Sequence, residues 1–245
     1  MAKDSWPLPP QEISLSKNYV HVWSILLDQT SETTASLRQI LSLEEQSRAD
    51  KFYFEHDRNR FTVARAILRT ILGNYLGHNP SDIKFSYAKN GKPFLENIDL
   101  QFNVSHSQDL ALCAFTYQRE LGVDVEYLRL MKDAEQIAKR FFSPRESSLF
   151  CSLPPQEQQL AFFRCWTRKE AYIKAIGDGL SYPLDKFDVT FTSDQPVELL
   201  RVLSSPKEAK RWLLKELVPK ENFIGALIVE GNDWQLSCWQ YVIKK

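Results

Sequence analysis

FFRCWTRKEAYIKAIGDG, residues 162–179, carries two patterns at once. At 3.6 residues per turn Phe162, Cys165, Trp166, Ile173 and Ile176 form one apolar stripe, which predicts an amphipathic helix packed on a core and stopped by Gly177 and Gly179. Lys169 falls inside that stripe. Glu170 and Lys174 lie along its edge on neighbouring turns, where a helix leaves the core and meets solvent or a cleft. Such a pair is ordinarily a surface ion pair worth about 0.3–0.5 kcal/mol. A second stretch shifts that balance. Residues 121–126, LGVDVE, read as a strand with Val123 and Val125 on one face and Asp124 and Glu126 on the other. Two carboxylates on adjacent same-face positions repel each other, and unless they point into bulk water they call for a cation.

The chain of 245 residues is long enough for one large domain or two smaller ones, and its 43% hydrophobic and 12% aromatic residues mark it as globular rather than disordered. Its 31 Lys+Arg balance 31 Asp+Glu, so no overall field favours nucleic acid or an anionic membrane as partner, and charge recognition must be local. Cys113, Cys151, Cys165 and Cys238 have no metal or redox spacing and apolar neighbours; they are expected as reduced core residues of a cytoplasmic protein. The Pro-rich arm to about Lys17 lacks the apolar run of a signal peptide or membrane span.

Residues 19–27, YVHVWSILL, read as a buried strand. A helix follows from Thr34, and Ser42 with Glu45 forms a capping box for another that runs through Arg48 towards Glu55. Asp57 is the expected N-cap of the next helix, packed through Phe61, Ala64, Leu68, Ile71 and Leu72. Arg58, Arg65 and Arg69 share one flank, expected to be solvated or paired; Arg60 stands at the other edge, where position does not decide its role. Residues 83–87 form a short strand, Asn90-Gly91 a turn leading to Lys92, and residues 100–107, LQFNVSHS, a strand with Ser105 and His106 at its mouth. A histidine between two serines there is read evenly as a structural group or an anion donor, and spacing suggests no third member of a hydrolase triad.

Strands at 110–117 and 121–126 precede a helix at 134–142 that breaks at Ser143-Pro144, with Glu146 beyond it expected to be solvated. Leu153-Pro154-Pro155 is read as a break before the helix at Phe162. Strands at 187–191, 211–218, 223–229 and 234–242 are expected to close the chain as an antiparallel sheet. RNRFTVARAILR in the first half faintly echoes RCWTRKEAYIKA in the second, which suggests an α/β (α+β) pseudo-dimer of two similar halves with a groove between them. The expected divisions are 1–119, 120–221 and 222–245.

Joined together, these segments resemble a known family. GVDVE at 122–126, RFFSPRE at 140–146 and WTRKEAYIKAIGDGL at 166–180 are similar to the motif set of the Sfp-type 4'-phosphopantetheinyl transferases. RADKFYFEHDRNR at 48–60, GKP at 91–93 and FNVSHS at 102–107 extend the resemblance through the first half. It implies a two-halved, monomeric α/β enzyme that moves the 4'-phosphopantetheine arm of coenzyme A onto a serine of an apo acyl, peptidyl or aryl carrier protein, releasing adenosine 3',5'-bisphosphate. By the same resemblance Asp124, Glu126 and Glu170 would hold Mg²⁺, Glu170 would be the favoured base with Glu146 or a water as the other candidates, and Lys174 would steady the phosphate. Arg48, Arg60, Lys92, Ser105 and His106 would bind coenzyme A, mostly through its phosphates. Two positions depart from the pattern: Glu45 stands where relatives carry a basic residue, and Phe61 where they carry threonine.

Elementary electrostatics agrees with this assignment. Three carboxylates converging at ~4 Å repel by ~4 kcal/mol per pair at an effective dielectric near 20. The sum rivals the whole stability of a domain, so such a site needs a cation or a proton. Two other classes fit the same residues: a non-catalytic coenzyme A or carrier-protein binding module, which has no use for a proton acceptor beside a metal, and a Mg²⁺-dependent pyrophosphate hydrolase.

Overall fold

The computed structural model describes residues 6–205 and 207–243; residues 1–5, the start of the Pro-rich arm, lie outside the described residues. In order, β1 (Tyr19–Leu26), α1 (Ser31–Arg38), α2 (Leu43–Asp50) and α3 (Glu55–Leu76) are followed by the short strands β2 (Ser86–Tyr87) and β3 (Pro93–Phe94). Then come β4 (Leu100–Ser107), β5 (Leu110–Tyr117), β6 (Leu121–Tyr127), α4 (Ala134–Phe141), α5 (Pro144–Ser152) and α6 (Pro155–Ala175). The strands β7 (Phe187–Val189), β8 (Leu199–Val202), β9 (Trp212–Leu217), β10 (Phe223–Glu230) and β11 (Gln235–Tyr241) complete the chain.

Two principal sheets result, one ordered β11-β1-β5-β4 and the other β6-β10-β9. LALCAFTY on β5 and FIGALIVE on β10 are almost uninterrupted apolar runs because both faces of each sheet are covered. Trp23, Ile25, Cys113 and Phe115 pack against Val63, Ile67 and Leu72 of α3. The alternate residues Val20, Val22, Leu112 and Ala114 turn the other way and meet Val123, Val125, Leu227 and Val229 of the second sheet. The outer face of that sheet, Ile224, Ala226 and Ile228, packs against Phe162, Cys165 and Ile173 of α6. The fold is thus mixed α/β, with helix, sheet, sheet and helix in layers. Asp124 and Glu126, out of phase with Val123 and Val125, lie on the α6 side.

Several expectations are corrected. α6 begins at Pro155, seven residues before Phe162, because a proline in the first turn lacks only an N–H that the helix would leave unbonded. Its buried surface extends well beyond one stripe and includes Thr167, Arg168 and Lys169, while Trp166 and Ile176 are only partly buried. α2 ends at Asp50, and Phe54 rather than Asp57 precedes α3 as its N-cap. Phe61 and Ala64 are half-buried; Val63, Ala66 and Ile67 take the centre of the α3 face. The Arg65 and Arg69 flank, by contrast, is paired as expected: buried Arg69 is bonded to Glu45 at 2.7 Å, with Arg65 3.6 Å from the same carboxylate. Cys151 is exposed, unlike buried Cys113 and Cys165. The closing strands divide: β10 lies between β6 and β9, whereas β11 returns to pair in parallel with β1, so the last two strands do not form one antiparallel sheet.

β6 can lie against α6 only because residue 122 has no side chain. A Cβ there would stand 2.0 Å from the Ala171 carbonyl oxygen and 2.6 Å from the Ala175 nitrogen. This contact brings the acidic face of β6 up to Glu170 and Lys174.

The first sheet also contains a pH-sensitive contact. Trp23 Nε1 donates to the Tyr75 hydroxyl at 2.9 Å, and that hydroxyl lies 2.8 Å from Nδ1 of buried His21, an arrangement that suits a neutral ring accepting the Tyr75 proton. Burial lowers His21 from 6.5 to about 4. The unfolded chain therefore takes up a proton below pH 6.5 that the folded chain refuses until about pH 4, and stability falls as pH drops through that window. The contribution amounts to up to about 3 kcal/mol. Urea unfolding at pH 7 and pH 4.5 should show this loss, and His21→Gln should flatten it; an unchanged acid slope in the variant would assign the loss to other groups.

Candidate active site

β4 and β6 run side by side yet belong to different sheets, and side chains replace the missing backbone ladder. The N–H groups of Val123, Val125 and Tyr127 donate to Asn103 Oδ1 at 3.0 Å, Ser105 Oγ at 3.3 Å and Ser107 Oγ at 3.1 Å. The spacing of two on both strands puts every donor and every acceptor on the facing edge. A serine oxygen that accepts in this way still has its own proton to give. Ser105 gives it to Asp124 Oδ1 at 2.7 Å, and Ser107 gives it to Glu126 Oε2 at 2.8 Å.

From the helix side, Lys174 Nζ donates to Asp124 Oδ1 at 2.6 Å and to Ser105 Oγ at 2.9 Å. Ser105, Asp124 and Lys174 therefore form one closed cluster, and the Ser105 hydroxyl has spent its single proton and both its lone pairs. Glu170 is coupled to the same cluster. Burial first, and then the negative charge of Asp124, push its carboxyl up to about 7; Lys174 opposes the shift and Glu126 adds to it. Near neutrality this carboxyl is thus divided between acid and base, the state that suits proton transfer.

Asp124 is 5% exposed and its Oδ2 has no hydrogen-bond partner; Oε1 of Glu170 is likewise buried and unpartnered. A buried carboxylate oxygen without a partner is costly, and two of them in one electrostatically coupled cluster fit a hard, oxygen-seeking divalent cation. Neither His nor Cys contributes a donor, which disfavours zinc. Among the described residues no three His, Cys, Asp or Glu side chains are placed to hold a metal ion together, so Asp124, Glu126 and Glu170, though near enough for their charges to act on one another, do not form a ready-made three-carboxylate shell. Lys174 takes one oxygen of Asp124, and one oxygen of Glu126 is shared by Ser107 and, at 3.4 Å, Arg129.

The other residues singled out in the sequence are more dispersed. His106 is exposed on β4 between the two serines. Arg60 makes a two-pronged contact with Asp28, at 2.7 and 3.0 Å, which holds the Asp28 carboxyl below its usual range. Arg48 stacks over Phe61 at 5.3 Å and lines a cavity of about 850 Å³ with Lys84 and Tyr87. Lys92 lines a separate cavity of about 540 Å³ and donates to the Ala175 carbonyl at the end of α6, at 3.3 Å. Glu146 is not solvated: it is 2% exposed, bonded to the N–H groups of Ser143 and Val189 and 2.7 Å from Lys169. This pairing explains a lysine inside an apolar stripe, and it removes Glu146 from the candidates for the base. Asn103 and Ser107 were missed as site residues. Their signal is a polar side chain at every second position of a strand whose alternate face, Phe102 and Val104, is apolar.

The chain matches the family model of the 4'-phosphopantetheinyl transferase superfamily over residues 120–234, and the model of the 4'-phosphopantetheinyl transferase N-terminal region over residues 28–118. It is 45% identical over 245 residues to 4'-phosphopantetheinyl transferase HetI of Nostoc sp. (strain PCC 7120), an alignment that covers 98% of this chain and all of that protein. It is 34% identical over 203 residues to the putative 4'-phosphopantetheinyl transferase slr0495 of Synechocystis sp., covering 82% of this chain and 79% of that one. With 4'-phosphopantetheinyl transferase Sfp of Bacillus subtilis the identity is 33% over 181 residues, covering 73% and 80%. Sequence along nearly the whole chain and an acidic cluster at the meeting of two sheets thus agree: the chain belongs to the 4'-phosphopantetheinyl transferase family and is an enzyme of that class.

Proposed function

We propose that this site moves the 4'-phosphopantetheine arm of coenzyme A onto a serine of an apo acyl, peptidyl or aryl carrier protein, with Mg²⁺ held by Asp124, Glu126 and Glu170. The observation that carries the reading is the pair of buried, unpartnered oxygens on Asp124 and Glu170 beside the ammonium group of Lys174. Mg²⁺, when bound, supplies positive charge to the pyrophosphate oxygens.

The remaining work falls to the chain's own side chains. Glu170 accepts the proton of the acceptor serine, whose neutral hydroxyl is a poor nucleophile. The serine oxygen bonds to the phosphorus that carries the pantetheine arm, the bond to the bridging oxygen breaks, and adenosine 3',5'-bisphosphate departs. Lys174 neutralises charge as that bond lengthens. By the family resemblance Arg48, Arg60, Lys92 and His106 would meet the phosphates of coenzyme A, which requires Arg60 to exchange Asp28 for one of them. Ser105, its hydroxyl already committed, serves the site by fixing Asp124 and Lys174. A monomeric, cytoplasmic enzyme fits this reading, since one chain supplies the groups of the site from β4, β6 and α6 alike. Among the described residues no helix is long and apolar enough to cross a membrane.

The test is to incubate the protein with coenzyme A, Mg²⁺ and several apo carrier proteins and to weigh each carrier by intact mass spectrometry. A gain of one phosphopantetheine arm, lost on chelation, is expected. Release of adenosine bisphosphate without a carrier would replace transfer by hydrolysis, and coenzyme A binding with no turnover on any carrier would leave a binding module.

A further inference from the structure

We propose that Ser107 is a positioning residue for Glu126, so that the ladder joining the two sheets also sets the geometry of the acidic site. The proposal rests on the metal reading above and adds to it a residue outside the catalytic set. Three observations support it.

First, the Ser107 hydroxyl has no freedom in how it bonds. Its oxygen accepts the Tyr127 N–H at 3.1 Å, so its proton is directed at Glu126 Oε2, 2.8 Å away, and the acceptor is the residue just before the donor on the same strand. Second, Ser105 repeats the arrangement two residues earlier with Val125 and Asp124. The repeat fixes each carboxylate by one oxygen from β4 and leaves its second oxygen free of that strand. Third, Glu126 has a competing partner. Arg129 approaches the same Oε2 at 3.4 Å from a half-exposed position three residues along, outside the Ser107 contact. Without the hydroxyl, Glu126 is left to Arg129 and is drawn away from Asp124 and Glu170. Asn103, the third rung, faces Val123 with no carboxylate beside it, and so joins the sheets without orienting the site.

This separates two roles that a single substitution would otherwise confuse. Ser107→Ala removes the bond to Glu126 and the bond from Tyr127 together; Ser107→Thr keeps a hydroxyl for both. Asn103→Ala breaks a rung without touching a carboxylate. Mn²⁺ serves as the probe, its free concentration read by electron paramagnetic resonance during titration of the full-length protein, with coenzyme A affinity in the absence of metal and melting temperature measured alongside.

Loss of a side chain that orients a metal ligand ordinarily weakens metal binding ~10–100-fold. Ser107→Ala should weaken Mn²⁺ by that factor with metal-free coenzyme A affinity unchanged. Ser107→Thr should restore binding to within ~3-fold of the native protein, and adding Arg129→Gln to Ser107→Ala should recover part of the loss. Asn103→Ala should lower the melting temperature while leaving Mn²⁺ affinity intact. Native Mn²⁺ affinity in Ser107→Ala, when Asp124→Asn abolishes binding, would overturn the positioning role alone. Equal losses in Ser107→Ala and Asn103→Ala would reduce Ser107 to a structural rung. Failure of the native protein to bind Mn²⁺ at all would remove the metal reading, and this inference with it.

Discussion

Gly122→Ala should unfold or severely loosen the half of the molecule built on α6. Overpacking a core ordinarily costs ~1–3 kcal/mol, because side chains can yield. Here the added carbon meets the backbone of α6, 2.0 Å from the Ala171 oxygen, and that helix is buried around most of its circumference, so no flexible group is available to move. The cost should lie at or above the upper end of that range. Any folded fraction must hold β6 and α6 farther apart, which separates Asp124 from Lys174 and Glu170. A displacement of ~1 Å at reacting groups commonly costs ~10²-fold in rate, so loss of turnover should exceed what the folded population explains. Urea denaturation with transfer assayed on the same samples checks both parts. Native stability and native turnover in the variant would mean that strand and helix do not touch at residue 122.

Asp124→Asn should have the largest effect on chemistry with the smallest effect on fold. The amide oxygen can still accept from Ser105 and Lys174, so melting should change little. What is lost is the negative charge. Lys174 then has no anion to hold it, and Glu170 loses the neighbour whose charge helps to raise its carboxyl towards 7. Transfer should fall by ~10²–10³-fold or more, the scale seen when one electrostatic group is removed from a preorganised site. Added Mg²⁺ should not restore it. A variant within a few-fold of native turnover would take Asp124 out of the reaction.

The parts of this site that are legible in the sequence are those governed by local periodicity. A period of two sets Asp124 and Glu126 on one face of β6, and a period of 3.6 stacks Glu170 on Lys174; the structure keeps both relationships. The Ser42–Glu45 capping box is likewise complete. What could not be read locally depends on partners remote in sequence. Glu146 looks solvated until Lys169, on another helix, is brought to 2.7 Å. β11 looks like the last strand of an antiparallel sheet until it pairs in parallel with β1 at the opposite end of the chain. Pro155 reads as a break, although a proline suits the first turn of a helix as well as it suits a loop. The serines of FNVSHS are intermediate. Their alternation is visible in the sequence, but that they pair with β6 follows only from the meeting of the two sheets.

One divalent ion is expected to satisfy the buried oxygens of Asp124 and Glu170. Crystals of the protein grown with coenzyme A and Mn²⁺ test it through the anomalous scattering of the metal. One strong peak is expected within coordinating distance of both carboxylates and of a pyrophosphate oxygen, with Lys174 beside it. A peak elsewhere, or bound coenzyme A with Asp124 still closed on Lys174 and no metal between them, would contradict it.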